Sequence, residues 1–286
     1  MALNSIITNS SAQVALASLD DISSSLASTQ KAVSTGYIVA DASDNGAAFA
    51  VAQNVRSTVS ALTAANQELG NTTGLLNVTT TGLTDISNTL TQAQALLVHL
   101  SSGDVQGDER AQYISEYNSL LTSGVGAAIS NSNYAGASVI GNTTAAEKNA
   151  TFGSVSVAEN ELGDNITITT FSGSALLSAL TFTSTQLASS TTVQSLLATG
   201  GTFTVQSNDV GTALNTYGNL TNLVNDQVSF NTSKISALQT GLGALVDANE
   251  AQESATLEAL QTQQQLATSA LSVAEQTPSL LTKLIQ

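Results

Sequence analysis

Seven apolar residues stand each seven apart, from Val55 through Leu62, Leu69, Leu76, Leu83 and Leu90 to Leu97. A companion line runs Thr58, Ala65, Thr72, Thr79, Ile86, Ala93, Leu100. This 3,4 alternation holds one stripe of side chains against a partner helix along a left-handed supercoil. Sustained over six heptads, it calls for long packed helices. Three further blocks repeat the pattern. The first is Ala12, Ala15, Leu19, Ile22, Leu26, Thr29, Val33. The third is Val210, Leu214, Tyr217, Thr221, Val224, Val228, Asn231, Ile235, Leu238, Leu242, Leu245. The fourth is Leu257, Leu260, Gln264, Ala267, Leu271, Ala274, Pro278, Leu281. Gly70, Gly74 and Gly82 fall outside the second seam and weaken that helix locally.

The breaks divide the chain. Ser34-Thr35-Gly36 ends the first helix, and Asp41 to Gly46 supplies caps for the second. Ser101-Ser102-Gly103-Asp104 precedes a shorter helix carrying Ile114, Tyr117, Leu121 and Ala128, and residues 131–136 form a turn. From about 150 to 205 the spacing becomes strand-like, with Phe152, Val155, Val157, Ile166, Ile168, Phe171, Phe203 and Val205 among Gly, Asn and Asp. Ser207, Asn208 and Asp209 then cap the third block. At 1.5 Å per residue, 44–100 would reach roughly 85 Å and 248–285 roughly 55 Å, which suits a rod.

The fold expected is mainly α: an elongated antiparallel coiled-coil helix bundle formed by the N- and C-terminal halves, with a small β-rich middle segment. Its expected parts are a terminal helix over 1–40 and the N-terminal half of a rod over 41–142. A short β-rich variable segment over 143–206, the returning rod helix over 207–246 and a second terminal helix over 247–286 complete them. The second and third blocks form the rod seam, and the first and fourth place the termini side by side. The terminal seams are thin, interrupted by Thr29, Gln264 and Pro278, and a second stripe of Leu266, Val273 and Leu280 lies beside the first. A lone two-helix hairpin of this kind is marginal. Apolar stripes on more than one face therefore imply neighbours.

Composition narrows the function. Charged residues make up 9% and the net charge is -15, with Lys31, Arg56, Arg110, Lys148, Lys234 and Lys283 scattered singly. Phosphate neutralisation needs clustered bases, so no nucleic-acid partner is expected. No stretch approaches the 18 apolar residues of a membrane span, and the first residues lack the basic start and apolar core of a cleaved signal peptide. The chain has no cysteine, hence no disulfide and no thiolate metal site. Aromatic residues at 4% are too few for the usual core of a compact enzyme.

No catalytic, cofactor-binding or metal site is expected. Ser28-Thr29-Gln30-Lys31 fits Ser-x-x-Lys but lacks the companion elements of penicillin-recognising enzymes. His99 has no second His or Cys at ligand spacing. Asp20-Asp21 and Asp41/Asp44 read as helix-end carboxylates. Gly124-Val125-Gly126 and Gly241-Leu242-Gly243 lack the third glycine of a nucleotide loop.

The opening MALNSIITNSSAQVALASLDD, then Ser34-Thr35-Gly36, then Asp41-Ala42-Ser43-Asp44-Asn45-Gly46-Ala47-Ala48, resembles the N-terminus of bacterial flagellins. Tyr134-Ala135-Gly136 before Val139-Ile140 resembles their aromatic-Asn-Gly turn, with Ala in place of Asn. The run from Leu245 to Ala255, followed by Leu260 to Ala267, is similar to their C-terminal helix. The resemblance covers about 1–142 and 207–286 and is nearest to the short flagellins of alphaproteobacteria. It implies a structural subunit, not an enzyme, that self-assembles into a homopolymeric, extracellular swimming filament. It also implies export unfolded through the flagellar type III apparatus, a cytoplasmic chaperone on the C-terminal segment and a distal cap protein. The terminal helices would form the inner tube, with Leu19, Ile22, Leu26, Val33, Leu257, Leu260, Leu266, Leu271, Val273 and Leu280 carrying assembly. Two departures stand out. Ile38 and Ser43 replace the basic residues usual in the connecting segment, so salt links there are not expected, and Gln92 and Ala95 replace an Arg and a Glu in a stretch read by innate immune receptors. Two alternatives stay open at this level: a hook–filament junction protein, and a secreted coiled-coil surface adhesin.

Overall fold

The computed structural model describes residues 9–141 and 151–285. Helix α1, Ser10–Thr35, starts on Asn9, whose Oδ1 accepts the Ala12 N–H at 3.2 Å. It stops at Gly36, where φ is +73° and only a residue without Cβ is at ease. The long α2, Gly46–Ser101, is followed by α3, Gly107–Ser119, a π-helical turn, Leu120–Val125, and α4, Gly126–Asn131. Strand β1, Ala137–Ser138, pairs in parallel with β2, Thr151–Phe152. Strands β3, Val155–Ala158, and β4, Asn165–Ile168, form an antiparallel hairpin in the register Val155↔Ile168 to Ala158↔Asn165. Three short helices follow, α5, Gly173–Leu180, α6, Ser184–Ala188, and α7, Ser190–Leu197, before α8, Thr202–Val246, and α9, Glu250–Ile285.

The chain forms two compact units, residues 1–59 with 236–286, and residues 60–235. Helices α2 and α8 contribute to both. The expected breaks at 40/41 and 246/247 both fall inside the first unit.

The second unit is built on the heptad line. Leu62, Leu69, Leu76, Leu83 and Leu97 are fully buried, as are Thr79, Ile86, Ala93 and Leu100 on the companion line. From α8, Val210, Tyr217 and Val224 join this core, together with Tyr117, Ile140, Ile168 and Leu180 from the elements between. Leu214 and Val228 pack against it half-buried. Val55, Ile235, Leu238 and Leu242 are also half-buried. Replacing Leu83 by Ala should cost about 2–5 kcal/mol, read as a lower midpoint in urea with an unchanged slope. An unchanged midpoint would remove Leu83 from the core.

Asn231 sits on the α8 heptad line with no exposure. Its Nδ2 donates to Asn66 Oδ1 at 3.0 Å and to the Glu159 carbonyl at 2.9 Å, tying α8 to α2 and to the β3–β4 hairpin. Lys234, three residues on, pairs with Glu161 of the same hairpin. A buried Asn at a seam position fixes the register of paired helices at some loss of stability.

Three sequence expectations change. Phe203 and Val205 belong to α8, not to a strand, and 173–197 is largely helical. Phe203 stands seven before Val210 and is buried, so the heptad line begins one repeat earlier and overrides a local alternation. Accordingly Ser207–Asp209 do not start the helix. Gly200, at φ +85°, makes the turn, and the Gly201 carbonyl accepts the first helical bond from Val205. Ser172, Thr183 and Ser189 each cap a short helix, and Thr183 with Gln186 makes a complete capping box.

The third change concerns the glycines of α2, which runs unbroken through all three. A Cβ on Gly74 would meet the Tyr134 ring at 2.6 Å, and one on Gly82 would meet Ser132 Oγ at 1.8 Å. At those two positions the missing side chain lets the turn after α4 lie against the helix.

Candidate functional site

The terminal unit exposes apolar side chains at Val14, Leu16, Ile38, Val51, Leu266 and Val273. Helices α1 and α9 run antiparallel: Asn9 Nδ2 donates to the Ala274 carbonyl at 2.7 Å, and the Ala248 N–H reaches the Gly36 carbonyl at 2.8 Å. Between these ends the facing stripes are Leu19, Ile22, Leu26 and Val33 on α1 and Leu257, Leu260 and Leu271 on α9, all half-buried. Only Thr29 and Ala32 of α1 are buried, and no residue of α9 from Glu250 to Gln276 is. Leu266 and Val273 remain 65% and 64% exposed. The expected stripes thus divide, one set turned toward the partner helix and one left outside. Leu280 lies outside the residues whose side chains are described.

Two further exposed residues, Val14 at 68% and Leu16 at 50%, were missed by the heptad reading because they lie off the seam of the first block. Apolar residues between seam positions were the available signal.

The connector between α1 and α2 is held by charge and by a small apolar cluster. Ile38 N–H donates to the Val246 carbonyl at 2.8 Å, and Val39, Ala52 and Val246 are buried together with Ala48, Phe49 and Leu242 around them. Lys31 Nζ donates to Asp41 at 2.6 Å and to Asp44 at 2.7 Å. The expectation that this segment lacks salt links is therefore overturned. The base comes from the preceding helix, ten and thirteen residues away, instead of from positions 38 and 43. Asp44 Oδ2 also accepts the N–H groups of Ala40 and Asp41, and Asp41 Oδ1 that of Ser43. The Arg56 guanidinium lies over the Tyr37 ring, 5.7 Å from its centre.

The Lys31 hydrogen bonds hold both carboxyls below their ordinary value of 3.8, and the Asp41 hydrogen bond, foremost, raises Lys31 above 10.5. A depressed carboxyl stabilises the fold above its unfolded pKa and loses that contribution as pH falls through the folded one; a raised lysine does the reverse. The latch should hold fully between 3.8 and 10.5 and loosen beyond either limit. All three groups are solvent-accessible, so salt should weaken it. Hydrogen exchange across 36–46, measured where the terminal helices are ordered, should show this plateau. Protection that rises below the carboxyl limit would reject the assignment.

Elsewhere the chemistry is sparse. His99 is exposed and stacks on Tyr113 at 5.1 Å. Lys31, engaged with two carboxylates, is not a free base for Ser28. Gly124 and Gly126 lie in the helical run from α3 to α4, and Gly241 and Gly243 lie within α8, so neither pair forms a loop. Among the described residues no group of three or more His, Asp or Glu is placed to hold a metal ion, and no helix is long and apolar enough to cross a membrane.

The chain is mainly α, and its terminal helices share a half-buried seam while leaving Leu266 and Val273 exposed. The profile described as the bacterial flagellin N-terminal helical region matches residues 6–123. A flagellin of Brucella melitensis is 30% identical over 286 aligned residues, covering 94% of this chain and 95% of its own length. Flagellin FljM of Caulobacter vibrioides is 29% identical with 100% of each chain covered, and flagellin C of Rhizobium meliloti is 29% identical over 99% and 100%. The chain belongs to the flagellin family. It is a structural subunit of the bacterial flagellar filament, an extracellular assembly.

Proposed function

We propose that the two chain ends are the polymerising elements and acquire stable order only beside equivalent ends of neighbouring subunits. The observation that supports this most directly is α9, which has no buried residue from Glu250 to Gln276 while Leu266 and Val273 stand exposed. Ordering a residue costs roughly 1–2 kcal/mol of backbone entropy. A fully buried Leu or Val returns about 1.5–3 kcal/mol, and a half-buried one less. The 26-residue α1 and the stretch of α9 from Glu250 to Gln276, which bury only a seam against each other, are therefore poorly supported without more partners.

In this reading Leu19, Ile22, Leu26, Val33, Leu257, Leu260 and Leu271 align the hairpin, and Leu266, Val273 and Leu280 meet other copies. Val14 and Leu16 join the second group. Residues 1–40 and 247–286 then supply the inner tube, 41–142 with 207–246 the rod domain, and 143–206 the variable segment. The subunit leaves the cell unfolded by type III export, its C-terminal segment held by a chaperone beforehand, and is added under a cap protein. Marginal ends suit that route, since they neither polymerise early nor resist unfolding.

The test is Leu266→Asp combined with Val273→Asp. Both side chains are exposed in the single chain, so the monomer should keep its helicity and melting behaviour. Filament yield in a sedimentation assay should fall to background, because burying two unpaired carboxylates between copies is prohibitive. Normal filaments from this variant would reject the assignment.

A further inference from the structure

We propose that Asn45-Gly46, in the connector between α1 and α2, is a spontaneous deamidation site whose ageing records how long a subunit has remained unassembled. The proposal rests on the reading above, in that it takes the connector to be loose until neighbours order the termini. Asn-Gly occurs once in this chain. In such a pair the backbone nitrogen of the glycine can reach the side-chain carbonyl carbon of the asparagine and close a five-membered ring, with no Cβ on the second residue to obstruct the approach. Here the surroundings are open as well: nothing lies within 4 Å of where a Gly46 Cβ would be, and Asn45 is exposed.

Gly46 is the first residue of α2, so its N–H belongs to the group that has no acceptor inside the helix. The reaction needs only water. The Gly46 nitrogen, giving up its proton, forms a bond to Asn45 Cγ, and the bond from Cγ to the side-chain nitrogen breaks, that nitrogen leaving as ammonia. Water then opens the cyclic imide at one carbonyl or the other. The products are aspartate or isoaspartate, each carrying one more negative charge than the parent.

The folded connector is a brake on this step. Asn45 Oδ1 accepts the Ala48 N–H at 3.1 Å, and the Asn45 carbonyl accepts the Phe49 N–H at 2.9 Å. Together these bonds fix the side-chain and backbone torsions of Asn45. Ring closure has to rotate Cγ onto the Gly46 nitrogen, which releases the cap. The reaction therefore proceeds from the opened state, at a rate set by the fraction of time the connector is open. The contacts that keep it closed are those of the terminal unit: Lys31 with Asp41 and Asp44, and Ile38 with Val246. They are in place when α1 and α9 are ordered and lost when those helices are loose.

The product matters to the same segment. Isoaspartate carries the main chain through the former side chain, adding a backbone atom where α2 begins and removing the capping carbonyl. Aspartate keeps a cap but places a third carboxylate next to Asp41 and Asp44, which already share Lys31. An aged subunit is thus less able to close its connector and join a filament.

The test compares full-length free subunits, sheared filaments and a synthetic peptide of residues 39–51 in one near-neutral buffer. Peptide mass mapping follows the exchange of NH2 for OH at position 45, and an isoaspartate assay separates the two products. Free subunits should age at nearly the peptide rate, and filaments at least about tenfold more slowly, because packing keeps the cap closed. The Gly46→Ala variant, whose added methyl enters open space, should suppress the conversion in both free subunit and peptide. Free subunits that age as slowly as filaments while the peptide converts would overturn the inference, and so would filaments that age as fast as the peptide. Conversion unchanged in the Gly46→Ala variant would exclude ring closure at this pair. Failure of the assembly reading shows separately, as normal polymerisation of the Leu266→Asp, Val273→Asp variant.

Discussion

Deletion of residues 1–20, or of residues 260–286, is expected to leave residues 60–235 folded and to reduce filament formation to nothing. The core that stabilises that unit, from Leu69 and Leu83 through Tyr117 to Tyr217, lies wholly within 60–235 and contains no residue of α1 or α9. Neither deletion therefore opens a cavity in it. Loss of 260–286 removes Leu260, Leu266, Leu271 and Val273, and loss of 1–20 removes Val14, Leu16 and Leu19 along with the Asn9 tie to Ala274. Either way the remaining helix of the pair loses its partner stripe, and an isolated helix of low apolar content is marginal in water. Circular dichroism of the free subunit should show little loss of helix, because its ends are poorly ordered before assembly, and a melting transition near that of the full chain. Electron microscopy should show no filaments. Normal filaments from either truncation would overturn the assignment of the ends as polymerising elements.

Arg110→Met is expected to destabilise the second unit by about 1–3 kcal/mol, the cost of leaving buried carbonyl acceptors without a donor. Arg110 is 8% exposed and, among the described residues, pairs with no carboxylate. Its guanidinium donates instead to three carbonyls, Leu100 at 2.6 Å, Val105 at 2.9 Å and Leu187 at 2.9 Å. The Leu100 carbonyl lies in the last turn of α2, where acceptors have no donor inside the helix, and the negative end of the helix dipole offsets part of the buried charge. One side chain thus closes the end of α2, the following turn and the end of α6. Methionine fills much of the same volume and restores none of those bonds. Arg110→Lys should recover only a fraction, because an ammonium cannot span three separated acceptors in a fixed fork. Denaturant unfolding of the three proteins measures this. Equal midpoints would show that water satisfies the carbonyls as well as the arginine does.

Arg110 also marks a boundary of sequence reading. As a letter it is one of six scattered bases, and nothing in its neighbours says that it is buried. The carbonyls it serves are ten residues before it, five before it and 77 after it, and only folding brings them together. The same holds for Lys31, whose carboxylates lie across the bend that Gly36 makes, and for Gly74 and Gly82, which read as defects until Tyr134 and Ser132 occupy the space. Phe203 shows the error running the other way. Its two-residue spacing to Val205 is a local signal, whereas its seven-residue spacing to Val210 belongs to a line running down α8, and the longer pattern prevails because it buries more surface.

Periodicity was enough to specify the long helices and their antiparallel packing. Those properties follow from side-chain spacing along one helix, which needs no knowledge of distant residues. Folding in three dimensions settled which apolar stripe each terminal helix turns inward, where each buried charge finds its acceptors and which glycines are notches. Each of those outcomes depends on groups far apart in the chain arriving at one place, and linear order carries no record of that meeting.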